Sequence, residues 1–248
     1  MAPLALLAAF MPIASVMALN PGCTPGGNFD LGYWNLQLPT GSEGSVDIIK
    51  SKALQGCNGY SGPTFFTDQT SGELVLTAPG NPDITGCATT SGSVHCRTEL
   101  REVKKSNGQN AAWSPSGTNT LQVTVKVVKS DDGTHGTAIG QVFASEASKP
   151  LLEMYYSQKG EIVAGIKPDA DSNQIVTKLG TVPVGTQFTY QLSYSNNKLS
   201  ATINGKTTNL STYDWDSPDC YFKTGNYNQA KSGASTEVRI YAINVTHS

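Results

Sequence analysis

The sequence is poor in charge. Asp, Glu, Lys and Arg make up 15% of its 248 residues, and only three residues are arginine. With 25 glycines as well, that composition excludes a coiled coil and a highly charged disordered chain. The formal net charge of −2 provides no global field for an anionic partner, so a polyanion has to be met by a local cluster of cations. There is no internal repeat, no low-complexity tail and no linker-like stretch. One large core is therefore expected, in a single domain over residues 19–248. No helical period of useful length is present.

The apolar run from Leu4 to Met17 is too short to span a bilayer comfortably. It ends in Val16-Met17-Ala18 and reads as a secretory signal peptide over residues 1–18, although no Lys or Arg precedes it. Pro3 and Pro12 disfavour a buried helix there. A secreted, extracellular protein is expected. Its five cysteines lie in polar, Gly-rich surroundings, which suits disulfides. Cys87 with Cys96 would close a short loop, and Cys23 with Cys57 would pin the N-terminal segment, leaving Cys220 odd. Spacing alone leaves the connectivity open, and it fits no common zinc pattern. The sequons at Asn209 and Asn244 are compatible with secretion.

Runs of four to nine β-rich residues recur between Gly, Pro, Asn and Asp clusters, so an all-β chain is predicted. The clearest runs are 33–38, 73–77, 96–103, 120–128, 138–144, 151–156, 162–166, 188–195, 198–203, 221–228 and 237–246. Asn196-Asn197 is a two-residue turn suited to positive φ. Leu121, Val123, Val125 and Val127 alternate with Gln122, Thr124, Lys126 and Val128, which places one face on the core. Strands of this number and spacing suggest a jelly roll or sandwich of two antiparallel sheets.

Three segments put polar groups where a buried face would carry hydrophobes. In Arg97-Thr98-Glu99-Leu100-Arg101, the residues Arg97, Glu99 and Arg101 share a face at about 6.6 Å spacing. Gln141 and Phe143 share a face in the second segment. In Tyr221 to Gln229, the residues Tyr221, Lys223, Tyr227 and Gln229 align, with Gly225 leaving room for a ligand. Taken singly, each row also reads as a salt-bridge ladder or an ordinary exposed face.

Arg-Thr-Glu-Leu-Arg, the Gly140 to Phe143 segment, Tyr-Phe-Lys-x-Gly-x-Tyr-Asn-Gln and the early Tyr33 to Gly41 stretch occur in one order. Together they resemble the alginate lyases of polysaccharide lyase family 7, of the alginate lyase 2 type. The whole mature chain shares the resemblance, which extends to the fungal glucuronan lyases of family 20. It implies a concanavalin-like β-jelly roll whose concave sheet forms a groove for an anionic polysaccharide, alginate or glucuronan. It also implies cleavage of a 1,4-glycosidic bond by β-elimination. Arg97 and Gln141 match the positions that contact the substrate carboxylate, and Tyr227 matches the catalytic tyrosine. Glu99, Arg101, Lys223, Phe143, Tyr221 and Gln229 are then candidate substrate-binding residues. A phenol titrating near 10 needs positive charge from Arg97 or Lys223 to serve as a base.

One departure bears on specificity. The family commonly carries a histidine two residues after the glutamine, where this chain has Phe143. In guluronate the C5 proton and the leaving oxygen lie on opposite faces, and separate base and acid groups are natural. In mannuronate and glucuronate they share a face, and one tyrosine serves both. Phe143 thus favours polymannuronate, with glucuronan lyase or a non-catalytic polyuronate-binding jelly roll as alternatives. It also fits a weakened or inactive member. A hydrolase would need two carboxylates flanking one bond, and Glu99 and Glu102 have opposite parity. His95 adjoins Cys96 at a loop end and is assigned a structural role, His135 sits in a turn facing solvent, and His247 is terminal. No cofactor or metal is required, since Arg97 supplies positive charge, although a structural calcium ion is compatible. A monomer is expected, with no nucleic-acid or membrane partner.

Overall fold

The computed structural model describes residues 18–248, so the expected signal peptide lies outside the described residues except for Ala18. Fifteen strands follow in order: β1 (Trp34–Ser42), β2 (Ser45–Ile49), β3 (Phe65–Thr67), β4 (Leu74–Ala78) and β5 (Arg97–Glu102). Next come β6 (Asn119–Lys129), β7 (Thr137–Ala144), β8 (Lys149–Tyr156), β9 (Glu161–Ile166) and β10 (Ile175–Thr181). The last are β11 (Gln187–Ser195), β12 (Lys198–Ile203), β13 (Lys206–Leu210), β14 (Cys220–Tyr227) and β15 (Thr236–His247). An eight-stranded sheet runs β10-β9-β8-β7-β14-β5-β1-β2, and a seven-stranded sheet runs β13-β12-β11-β6-β15-β4-β3. This is the all-β, two-sheet antiparallel jelly roll that the strand spacing predicts.

The sheets enclose one core because their strands alternate. Leu121, Val123, Val125 and Val127 of β6 are all buried, and they meet Phe188, Tyr190, Leu192 and Tyr194 of β11 in the same cluster. Leu36, Leu100, Val142, Leu152, Met154 and Phe222 fill the core from the opposite sheet. Asn196 and Asn197 have φ of 50° and 56°, the left-handed geometry of the predicted β11–β12 hairpin. Cys23 bonds Cys57, Cys87 bonds Cys96, and Cys220 is free and buried. Among the described residues no helix is long and apolar enough to cross a membrane.

Four strands escaped the sequence pattern. β2, β10 and β13 are edge or near-edge strands with mostly exposed or half-buried side chains, so alternation leaves little trace in them. β3 is three residues long. The start predicted at Tyr33 is instead a 3₁₀ turn, Leu31–Tyr33, capped by the Asp30 side chain accepting from the Gly32 amide. Single helical turns at Pro25–Asn28, Ser51–Leu54 and Pro82–Thr85 are too short to carry a period.

Candidate active site

Adjacent antiparallel strands bring the three polar rows together. Across β5 and β14, Tyr227 faces Arg97, Gly225 faces Glu99 and Lys223 faces Arg101. Across β14 and β7, Lys223 faces Gln141 and Tyr221 faces Phe143. β8 adds Glu153 beside Gln141, and β1 adds Gln37 beside Glu99. Residues paired in register point to the same side of a sheet. Arg97, Arg101, Gln141, Phe143, Tyr221, Lys223 and Tyr227 accordingly line one cleft of about 410 Å³ on the outer face of the eight-stranded sheet. Lys149 and Lys167 also line it, so five cations surround a site whose lining includes one acid, Glu153. A second cleft, of about 600 Å³, lies beyond the Cys87–Cys96 loop and has only Lys231 as a fixed cation against Glu43 and Asp83. The first cleft is the one suited to a polyanion.

Glu99 organises the floor from below. It is 1% exposed, and its carboxylate accepts from Gln141 Nε2 at 2.5 Å, Lys223 Nζ at 3.1 Å and the Arg97 guanidinium at 3.3 Å. Glu99 is therefore a buried anchor for Arg97, Gln141 and Lys223, where the sequence reading had it among the candidate substrate-binding residues. Arg97 is 3% exposed, and its Nε has no hydrogen-bond partner among the described residues. A buried guanidinium donor without an acceptor carries a desolvation penalty of about 1–3 kcal/mol, which an incoming carboxylate would relieve. One amide proton of Gln141 goes to Glu99, and the same amide has a second proton to donate. Lys223 also reaches Gln37 at 3.4 Å, and burial pulls its ammonium below the ordinary lysine value.

Tyr227 sits under Arg97, whose Cζ is 3.9 Å from the ring centroid, and its hydroxyl is 2.7 Å from Ser93 Oγ. Burial raises its phenol above the usual value and outweighs the opposing pull of Arg97. The positive charge that the sequence reading asks for is present in Arg97 and does favour phenolate, but burial outweighs it in the free cleft. Arg101 lies over the Tyr221 ring at 4.0 Å and donates to Asn110 Oδ1 at 2.5 Å, and burial pushes the Tyr221 phenol up to about 12. Phe143 packs against Tyr221, centroids 5.1 Å apart, with Lys223 Nζ 5.0 Å from its ring. Phe143 puts an apolar ring at the position where the sequence resemblance leads one to expect a histidine.

A family model described as alginate lyase (Alginate_lyase2) matches residues 29–247. The chain belongs to the alginate lyase family. It is a secreted polysaccharide lyase acting on the polyuronate alginate by β-elimination. It is 25% identical to the alginate lyase of Klebsiella pneumoniae, over 90% of this chain and 91% of that protein. The crystal structure of alginate lyase A1-II′, a member of polysaccharide lyase family 7, superimposes with a TM-score of 0.77 at 27% identity, covering 91% of this chain and 99% of that one. An alginate lyase from Pseudomonas aeruginosa superimposes with a TM-score of 0.76 at 26% identity, covering 88% and 100% respectively.

Not every residue singled out in the alginate lyase sequence reaches the cleft. Gln229 lies past β14, with its amide turned back to the Tyr227 carbonyl at 3.3 Å and its backbone N–H donating to Asp131. Gly225 does not make room for a ligand. Its φ is 141°, and a Cβ there would come within 2.8 Å of the Thr98 carbonyl and 3.2 Å of Leu76, so the glycine lets β14 pack closely on β5 at the point where β14 bulges from β7, between Thr224 and Tyr227. His135 is half-buried against the Tyr155 ring, centroids 5.7 Å apart, and not simply solvent-facing. His247 bonds Glu102 at 2.6 Å and Asn119 at 2.8 Å, which ties down the last strand. Glu102 also accepts from Trp113 Nε1 and the Phe222 amide, so it is turned away from the cleft as its parity requires.

Sequence reasoning missed Ser93, Gln37, Lys149, Lys167 and Glu153. Glu153 carried a readable signal, an acid in the apolar stretch Leu151 to Tyr156 on the parity opposite Leu152 and Met154. It is buried, held by Tyr155 at 2.8 Å and Gln174 at 2.6 Å, and burial raises its carboxyl above the ordinary range. Ser93 and the two lysines lie in loops or at strand ends, where no period marks them.

Proposed function

We propose that the enzyme prefers mannuronate units and that Tyr227 both removes the C5 proton and returns it to the leaving oxygen. The observation that carries this reading is Phe143, which fills the family's histidine position with a group that cannot titrate. Arg97 and Gln141 receive the carboxylate of the reacting sugar through the free Nε of the one and the second amide proton of the other. As the C5–H bond breaks, negative charge builds on that carboxylate, and these preorganised donors stabilise it. The C5 electrons form the C4=C5 double bond, the C4–O4 bond breaks, and O4 leaves with the proton that Tyr227 carried. On mannuronate both events occur on one face of the ring, within reach of one phenol. Arg101, Lys149 and Lys167 engage carboxylates of neighbouring sugars.

The positive charge comes from Arg97 and Lys223, so the step as drawn needs no metal or cofactor. All of its groups come from one chain, which suits a monomer, and no membrane or nucleic-acid partner enters the reading. Residues 1–18 are assigned to export. Alginate lyase A1-II′ has been crystallised with the product GGG and with the substrate GGMG, so specificity has to be measured on defined polymers.

Ultraviolet absorbance of the new double bond, followed on polymannuronate, polyguluronate and glucuronan, tests the preference. Polymannuronate is expected to be cleaved at least about tenfold faster than polyguluronate, a discrimination of about 1.4 kcal/mol in transition-state binding. Equal or faster cleavage of polyguluronate would remove the argument from Phe143.

The pH profile provides a second check. Because burial holds the Tyr227 proton above the ordinary phenol value, phenolate becomes more abundant with rising pH throughout the neutral and mildly alkaline range. The rate constant kcat/KM on polymannuronate should climb from pH 6 to pH 9. A flat profile over that interval would exclude Tyr227 ionisation as the controlling event.

A further inference from the structure

We propose that Ser93, presented by the disulfide-closed loop between Cys87 and Cys96, is a positioning residue that donates a hydrogen bond to the Tyr227 phenolic oxygen. It rests on the reading of Tyr227 as the proton-transfer group, and it adds a residue that no motif in the chain marks.

The direction of the bond follows from counting protons. A serine hydroxyl has one proton to give and two lone pairs. The backbone N–H of His95 donates to Ser93 Oγ at 3.1 Å and occupies one lone pair. The serine proton then has two acceptors in range, the His95 carbonyl at 3.4 Å and the Tyr227 oxygen at 2.7 Å. Good O–H···O bonds cluster near 2.7–2.8 Å, so the phenol oxygen is the better acceptor. Tyr227 thereby keeps its own proton free to point into the cleft, toward the oxygen that must be protonated. When Tyr227 is ionised, the same serine proton meets a full negative charge, and the bond becomes charge-assisted.

The loop holds Ser93 in place for this. Besides the Cys87–Cys96 bond, its start is tied to β1 by Ala88 N–H donating to the Pro39 carbonyl at 2.8 Å. Its turn is closed by Ser93 N–H donating to the Thr90 carbonyl at 2.9 Å. Its end runs into β5, and the Cys96 carbonyl accepts from Asn228 N–H at 3.0 Å, one residue past Tyr227. The loop is therefore fixed at its start to β1 and at its end to β5 and to the residue after β14, β5 and β14 being the strands that carry Arg97 and Tyr227.

Tyr227 is faced by Arg97 and Glu99 from β5, by Glu153 and Tyr155 from β8, by Lys223 along its own strand, and by the His95 ring edge-on at 5.9 Å. Arg97 and Ser93 favour phenolate, whereas burial, Glu153 and Glu99 oppose it. Burial also depresses the His95 imidazole, with Arg97 acting in the same direction and Asp131 against it. Ser93 is neutral, so its removal alters the balance at Tyr227 without changing the charge of the cleft.

The test is the pH dependence of kcat and KM on polymannuronate for the wild type, Ser93→Ala, Ser93→Thr and Tyr227→Phe. Ser93→Ala is expected to lower kcat by about ten- to a hundredfold, with KM within about twofold, and to move the ascending limb up by about one pH unit. Ser93→Thr, which restores the hydroxyl, should recover most of the rate. If Ser93→Ala keeps the wild-type kcat and limb while Tyr227→Phe is inactive, the role of Ser93 is overturned and that of Tyr227 stands. A fall in kcat with an unmoved limb and no recovery in Ser93→Thr would reduce Ser93 to loop packing and overturn the proposal as well. An active Tyr227→Phe would instead overturn the reading of Tyr227.

Discussion

Replacing Tyr227 with Phe is expected to lower kcat on polymannuronate by at least about a thousandfold, because in the proposed mechanism one hydroxyl performs both proton transfers and general acid–base catalysis by a single group is worth about 10²–10⁴. The ring itself stays in place. Tyr227 is 8% exposed beneath Arg97, and a phenylalanine preserves that packing and the cation–π contact. What disappears is the bond to Ser93, a neutral hydrogen bond of about 0.5–1.5 kcal/mol. The melting temperature should consequently fall by only a few degrees. Binding of polymannuronate, measured by calorimetry on the inactive variant, should persist, since Arg97, Arg101 and Lys223 are untouched. Turnover within tenfold of the wild type would transfer the proton chemistry to another group. Loss of binding together with turnover would show that the phenol holds substrate more than it moves protons.

The fold was legible wherever burial imposes alternation. β6 and β11 read cleanly because each has one face on the core and one outside. β10 and β13 did not, because backbone pairing alone places them and their side chains are largely in solvent. In the site, parity was sufficient to group Arg97 with Glu99 and Arg101, Gln141 with Phe143, and Lys223 with Tyr221 and Tyr227, since each row lies within one strand. Strand order was not readable, and it decides which rows become neighbours. Only once β14 lies between β5 and β7 does Glu99 acquire three donors and change from a presumed sugar contact into a buried anchor. Loops are the other limit. The spacing of Cys87 and Cys96 suggested a closed loop, but nothing in the sequence between them says that Ser93 reaches the tyrosine of a strand more than a hundred residues later.

Removing that buried anchor is expected to have a large effect on stability. Glu99→Ala leaves Arg97 and Lys223, at 3% and 4% exposure, without their shared counter-charge, and leaves the Gln141 amide without its acceptor. Removing one partner of a buried ionic cluster destabilises by about 3–5 kcal/mol, which for a domain of this size lowers the melting temperature by roughly 6–20 °C. Lys223, already pulled down by burial, would be depressed further once Glu99 is gone. A lysine whose folded value lies below its unfolded value binds fewer protons in the folded state, so stability rises with pH through that window. The deficit of Glu99→Ala should accordingly be greatest in acid and shrink as the pH rises past the depressed lysine value. Glu99→Gln, close in shape but uncharged, should fall between wild type and Glu99→Ala. Combining Glu99→Leu with Lys223→Met should regain stability relative to Glu99→Ala by replacing a buried ion pair with packed apolar groups. The double variant should still be at least about a hundredfold less active, since Arg97 and Gln141 lose the carboxylate that aims them. Thermal denaturation from pH 5 to pH 9, with turnover assayed on the same samples, separates these effects. A loss below about 1 kcal/mol in Glu99→Ala, independent of pH, would mean that the two cations reach water and that Glu99 anchors nothing.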